Sequence, residues 1–227
     1  MADDASNNAV IPVPNTQKDF YDWAERHKTK TEAARARQHE LIFIGDSITH
    51  MFEVSERGGK VWEQHFGHYS TLNLGYGWDC TQNVLWRLEN GEFAHQRPRV
   101  VVLNIGTNNL TGNSGGRANT ANEIIEAILA ICELIHRQSP ETKIIVMSVF
   151  PRGVTTEPIF QQAKELAGAI QQSVTGQSGL IHLDIGTRFM GSDGEIPTAL
   201  MGDLVHPTEA GYQIWAEELR PIISKLI

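Results

Sequence analysis

Three side chains in this sequence have the types and spacing of a nucleophile, its base and the group that orients the base. Ser47 follows the apolar run Leu41-Ile42-Phe43-Ile44 and the turn residues Gly45-Asp46. It therefore stands at the carboxyl end of a short buried strand, the edge at which open parallel sheets bind ligands. A serine hydroxyl is a weak nucleophile until a base takes its proton, and His206 is the candidate base because an imidazole titrates near working pH. Asp203, three residues earlier, can fold back in a local turn to the second ring nitrogen, fix its tautomer and stabilise the imidazolium. Attack on a carbonyl also creates an oxyanion that needs donors. The backbone N–H groups of Ser47 and Gly75 and the side-chain amide of Asn108 are the candidates, with glycine where backbone must approach substrate and asparagine as a neutral donor. The chemistry these parts would perform is acyl transfer.

Each residue also has an ordinary explanation as a turn or helix-capping residue. What shifts the balance is the elements that carry them. Buried strands are expected at Leu41 to Ile44, Tyr69 to Leu74, Arg99 to Ile105, Lys143 to Val149 and Leu180 to Leu183, the first three running into Ser47, Gly75 and Asn108. Helical periodicity lies between them: Thr16 to about Gln38 with Phe20, Trp23, Ala24 and His27 on one face, Gly59 to Phe66, Thr81 to Glu89 with Gly91 as a stop, Ala121 to Arg137, and Ile159 to Gln172. Thr111 to Thr120 reads as a loop and Asp184 to Val205 as irregular. Pro207 is expected in the first turn of the last helix. Residues 1 to 15 read as an extended arm, and residues 16 to 227 as one domain. Strand and helix alternate five times, which predicts an α/β class fold, a three-layer α/β/α sandwich with a parallel sheet between two helical layers.

Composition narrows the function classes. Of 227 residues, 41% are hydrophobic and 20% charged, enough for a full core, and the net charge of −8 lacks the basic excess that nucleic acid or anionic lipid attracts. No apolar run approaches the length of a membrane span, and the first residues lack a signal-peptide pattern, which favours a cytoplasmic location; a secreted or periplasmic protein whose signal had been removed would read the same way. Cys80 and Cys132 form neither a paired motif nor a disulfide framework. The histidines other than His206 have no zinc-binding spacing, so neither metal nor cofactor is expected. A nucleotide site is disfavoured because Gly45-Asp46-Ser47 lacks both the Gly-x-Gly-x-x-Gly and P-loop patterns, and the serine lacks the Gly-x-Ser-x-Gly context of the α/β-hydrolase fold. A non-catalytic binding module on the same fold is the remaining rival.

Gly45-Asp46-Ser47-Ile48, Gly75, Gly106-Thr107-Asn108-Asn109 and Asp203-Leu204-Val205-His206 together resemble the four sequence blocks of the SGNH or GDSL hydrolases. The stretch from Asn83 to Glu92 and Pro151-Arg152-Gly153 are similar to the branch containing the catalytic subunits of intracellular platelet-activating factor acetylhydrolase and its bacterial relatives. The resemblance implies a flavodoxin-like five-stranded parallel sheet in order 2-1-3-4-5, no metal, and hydrolysis of short acyl, chiefly acetyl, esters through an acyl-serine. It implies a small-molecule, carbohydrate or lipid ester as substrate, and often a homodimer. In Gly75-Tyr76-Gly77-Trp78-Asp79 this chain carries aromatic bulk where the branch has small residues. Tyr76 and Trp78 either wall a substrate pocket, with Asp46, Asn109 and Val205 as further lining candidates, or pack beneath the loop.

Overall fold

The computed structural model describes residues 6–19, 21–112 and 116–227. Five parallel strands, β1 (Leu41–Gly45), β2 (Thr71–Gly75), β3 (Val100–Asn104), β4 (Lys143–Met147) and β5 (Leu180–Leu183), form one sheet in the order β2-β1-β3-β4-β5. The register sets Gly45 opposite Gly75 on one side and Asn104 on the other, so the chain leaves three adjacent strands at one level. That shared exit carries residues 46–47, 76–79 and 105–109 to one edge.

The helices are α1 (Trp23–Ala36), α2 (Ser47–His50), α3 (Gly59–Phe66), α4 (Thr81–Arg87), α5 (Ala121–Gln138), α6 (Pro158–Val174) and α7 (Glu209–Leu226). Side chains alternate across a strand. Ile42, Ile44, Val101, Leu103, Ile144 and Val146 accordingly pack on one face with α4, α5 and α6. Leu41, Phe43, Val100, Val102, Ile145 and Met147 pack on the other with α3 and α7. This is the sandwich and strand order expected above. No helix is long and apolar enough to cross a membrane among the described residues.

Three expected boundaries move. The first helix begins at Trp23, not Thr16, because Asp22 caps it by accepting from the Glu25 N–H. On its expected face Trp23 is buried while Ala24 is exposed, and Phe20 lies outside the described residues. The last helix begins at Glu209, with the Thr208 hydroxyl as cap, and Pro207 instead bridges antiparallel to Met201. Helix α4 ends at Arg87 and continues as a wide turn to Glu92, where Gly91 adopts φ +102°. In the expected loop from Thr111 to Thr120, residues 113–115 lie outside the described residues, as do residues 1–5 of the expected arm.

The rest of that arm is integrated into the fold. Asn8–Val10 form a short 3-10 turn, Ala9 is fully buried, and the arm is pinned by Thr81 Oγ1 donating to the Ala9 carbonyl at 3.0 Å and Asn83 Nδ2 to the Val13 carbonyl at 3.0 Å. Hydrogen-bonding groups on α4, in addition to apolar contact, decide its course.

Candidate active site

Ser47 sits in the first turn of α2, where the buried Asp46 ends β1 and its Oδ1 accepts from the Ile48 N–H at 2.9 Å. The Tyr212 hydroxyl of α7 donates to the Ile48 carbonyl at 2.8 Å, tying α2 to the helix that follows the histidine loop. That loop is closed by the Met201–Pro207 bridge, and Leu204 within it adopts φ +62°, a left-handed conformation that costs a branched residue about 1–2 kcal/mol. The turn lets Asp203 Oδ1 accept from the N–H groups of Val205 at 3.0 Å and His206 at 2.7 Å, leaving Oδ2 for the ring.

Ser47 Oγ lies 2.8 Å from His206 Nε2, and His206 Nδ1 lies 2.7 Å from Asp203 Oδ2. Residues 159 positions apart in the chain thus form a continuous hydroxyl–imidazole–carboxylate relay. Partial burial works to raise the Asp203 carboxyl, but hydrogen bonds from the His206 ring and backbone outweigh it and hold the group below the usual carboxylate range. The carboxylate is thereby held ionised beside the ring.

Arg152 braces this arrangement from the β4 side. Its Nη1 donates to the carbonyl and the hydroxyl of Thr107, at 3.1 and 3.2 Å, and the Gly153 N–H donates to the Leu204 carbonyl at 2.9 Å. Pro151-Arg152-Gly153 therefore joins the Asn108 loop to the Asp203–His206 loop.

The other expected site residues divide. Asn108 is at the edge, with Nδ2 donating to the Asp79 carbonyl at 3.0 Å. Gly75 is misassigned as an oxyanion donor: its N–H is taken by Asn73 Oδ1 at 2.8 Å, and a Cβ there would collide with the Thr49 and His50 backbone of α2. The glycine serves close packing beneath α2. In the following loop, the Tyr76 N–H goes to the Gly45 carbonyl and the Asp79 N–H to the Tyr76 carbonyl at 3.2 Å, closing a turn whose exposed tip is Trp78 at φ +66°. Tyr76 does not line a pocket. It is fully buried, lies beneath the Arg87 guanidinium at 3.9 Å and donates its hydroxyl to Glu92. Asn109 is likewise buried, donating Nδ2 to Thr81 Oγ1, Gln82 Oε1 and Asn119 Oδ1. Asp46 is enclosed as a cap, and Val205 is half-buried with its amide on Asp203. Trp78, at 40% exposure, is the expected pocket aromatic that faces solvent.

Sequence reasoning missed the buried group behind the turn. Asp79 receives Arg87 Nε at 2.7 Å, Trp23 Nε1 at 2.8 Å and Asn15 Nδ2 at 3.0 Å, and Arg87 also pairs with Glu92. Arg87 and Glu92 fall in the quoted stretch from Asn83 to Glu92, and an arginine directly after the apolar run Val84-Leu85-Trp86 was the available signal. A cavity of about 550 Å³ lies elsewhere, between α6 and the segment after β5, and is lined by none of the relay residues.

A parallel sheet delivering serine, histidine and aspartate to one edge defines a serine hydrolase. The GDSL-like lipase/acylhydrolase family model matches residues 43–214, and the chain belongs to that family, whose members are carboxylic ester hydrolases. It is 33% identical over 229 residues to platelet-activating factor acetylhydrolase IB subunit alpha2 of Rattus norvegicus, covering 100% of this chain and 95% of the relative. Among solved structures it is similar to a GDSL-like lipase from Bacteroides thetaiotaomicron (TM-score 0.71, 20% identity, 89% of this chain and 98% of that one). It is also similar to an acetyl xylan esterase (TM-score 0.68, 17% identity, 84% and 100%).

Proposed function

We propose that this esterase removes short acyl groups, acetyl above all, with Ser47 as nucleophile, His206 as base and Asp203 as the group orienting it. The observation that carries the reading is the relay from Ser47 Oγ through His206 to Asp203, with both contacts under 3 Å. Ser47 Oγ attacks the ester carbonyl as its proton passes to His206 Nε2. Collapse of the tetrahedral oxyanion breaks the bond to the alcohol, which leaves with that proton. Water then attacks the acyl-serine, gives a proton to Nε2, and a second collapse returns it to Ser47 Oγ and frees the carboxylic acid.

For the oxyanion we assign the backbone N–H groups of Ser47 and Trp78 and the side chain of Asn108. The positive φ of Trp78 belongs to the third position of a tight turn, where glycine is usual. The assignment to Trp78 follows from its place at the tip of the turn whose Asp79 carbonyl contacts Asn108. The Asp203 side chain is 55% exposed, so the relay lies near the surface and a bulky alcohol can project away from the protein.

The test is hydrolysis of p-nitrophenyl esters from acetyl to octanoyl, followed by acetylated sugars, acetyl-xylan and acetyl-phospholipid. Acetyl is expected to give the highest kcat/KM, and Ser47→Ala to abolish turnover with its circular dichroism intact. Wild-type rates from Ser47→Ala would remove the mechanism.

A further inference from the structure

We infer that residues 15–19 and 21–23 form a strap that positions the oxyanion donors, with Asn15, Tyr21 and Trp23 acting through Gly77 and Asp79 on the Trp78 amide and the Asn108 side chain. The inference rests on the functional reading above and assigns the N-terminal segment a part in it. None of the three is a catalytic residue; each touches the turn that carries the donors.

The contacts converge on the two residues flanking Trp78. The Tyr21 hydroxyl donates to the Gly77 carbonyl at 3.0 Å, and Asn15 Nδ2 lies 3.5 Å from the same oxygen. Asn15 Nδ2 and Trp23 Nε1 both donate to Asp79 Oδ1, at 3.0 and 2.8 Å, while Arg87 holds Oδ2. With its side chain fixed from both sides, Asp79 presents its carbonyl to Asn108 Nδ2 at 3.0 Å. One carboxylate thus couples the strap to both the turn and the asparagine.

Gly77 records how closely the strap lies on the turn. A Cβ at that position would stand 2.6 Å from Asp19 Oδ2 and 3.1 Å from Tyr21 Cε1, so the strap occupies the space a side chain would need. The arm that precedes the strap reaches the second donor loop. Asn119 Nδ2 donates to Asn8 Oδ1 at 2.6 Å, and Asn119 bonds to Asn109, next to Asn108, through both its N–H, donating to the Asn109 carbonyl at 2.8 Å, and its side chain. The arm and the strap therefore hold the two loops whose donors must meet a single oxygen. Preorganised donors owe their catalytic effect to paying no reorganisation during the reaction, and a tip held at positive φ without glycine needs such outside support.

The experiment uses full-length protein with Tyr21→Phe, which removes the hydroxyl and keeps the ring, Trp23→Phe, which removes the indole N–H and leaves a smaller aromatic ring, and the double variant. Loss of a whole oxyanion donor lowers kcat by about 10²–10³-fold. Loosening one is expected to lower kcat of the double variant about tenfold on p-nitrophenyl acetate, with KM within about twofold. The inhibition constant of a short alkylboronic acid, whose tetrahedral adduct places a hydroxyl at the oxyanion position, should rise by the same factor. An unchanged kcat in a double variant with wild-type far-ultraviolet circular dichroism overturns the strap, as does a fall in kcat with no change in boronate inhibition. If the double variant does not fold, the same criteria apply to Tyr21→Phe, with about a threefold effect expected. Ser47→Ala, assayed beside them, separates the two ideas: residual wild-type turnover there refutes the mechanism, whereas an inert Ser47→Ala with unaffected strap variants refutes the strap alone.

Discussion

Replacing Asp46 by asparagine should stabilise the protein above neutral pH and destabilise it in acid. Burial raises the Asp46 carboxyl from 3.8 to about 7, against the Ile48 N–H, which favours the charged form. Its Oδ2 has no hydrogen-bond partner and is shielded from solvent. The unfolded chain releases this proton near pH 4 and the folded chain only near 7. Between those values the folded state binds more protons, so the group's contribution is complete below the unfolded value and is lost as pH rises through the folded one. Each pH unit between the two is worth about 1.4 kcal/mol, so the ionised carboxylate costs the fold up to ~4 kcal/mol at pH 8.

Asparagine keeps the cap on Ile48 and carries no charge. It buries an amide with two hydrogens where the protonated acid buries one, a penalty of about 1–2 kcal/mol. The net expectation is a gain of about 2 kcal/mol at pH 8, or roughly 4–8 °C in Tm for a chain of this size, and a loss of about 1 kcal/mol near pH 4. Thermal unfolding of both proteins from pH 4 to 8 checks this, and the two curves should cross within that range. A variant less stable than wild type at pH 8 would mean that the Asp46 carboxylate is stabilised as an ion, with Arg152 the nearest candidate, and would refute the reasoning from burial.

Three further outcomes follow from the site geometry. Trp78→Gly removes a side chain held at φ +66° while keeping the backbone N–H, so kcat on p-nitrophenyl acetate should stay within about threefold and stability should rise by about 1 kcal/mol; a loss of a hundredfold would remove the assignment of that amide. Gly75→Ala should lower Tm by well over 5 °C in a scanning calorimeter, because its Cβ meets the α2 backbone, and a variant with wild-type Tm would refute the packing role. Asp203→Asn leaves His206 in the wrong tautomer and should lower kcat by about 10²–10⁴-fold in a steady-state assay with little change in KM; unaltered turnover would separate the carboxylate from the mechanism.

Much of this molecule was legible one residue at a time. The apolar run before Ser47, the valine-rich strand before Asn108 and the five alternations of strand and helix are local patterns, and local patterns are what burial in a parallel sheet demands. The pairing of Asp203 with His206 was readable for the same reason, since a three-residue separation confines it to one turn. Gly75 was misjudged because a glycine after a strand looks the same whether it faces substrate or a neighbouring helix. Tyr76 stayed undecided between pocket and packing because an aromatic beside a candidate nucleophile gives no sign of which side of the loop it occupies.

The sequence by itself therefore determined which chemical groups the protein possesses and the sheet that brings them to a common edge, since both depend on residue type and short-range periodicity. Only the tertiary structure decided which backbone amide stands at the tip of the turn, that Asp79 is enclosed by Asn15, Trp23 and Arg87, and that Asp19 and Tyr21 lie across Gly77. Those relations join residues with no shared period or spacing, and they exist because a buried carboxylate must collect its hydrogen bonds from whatever segments pass within reach.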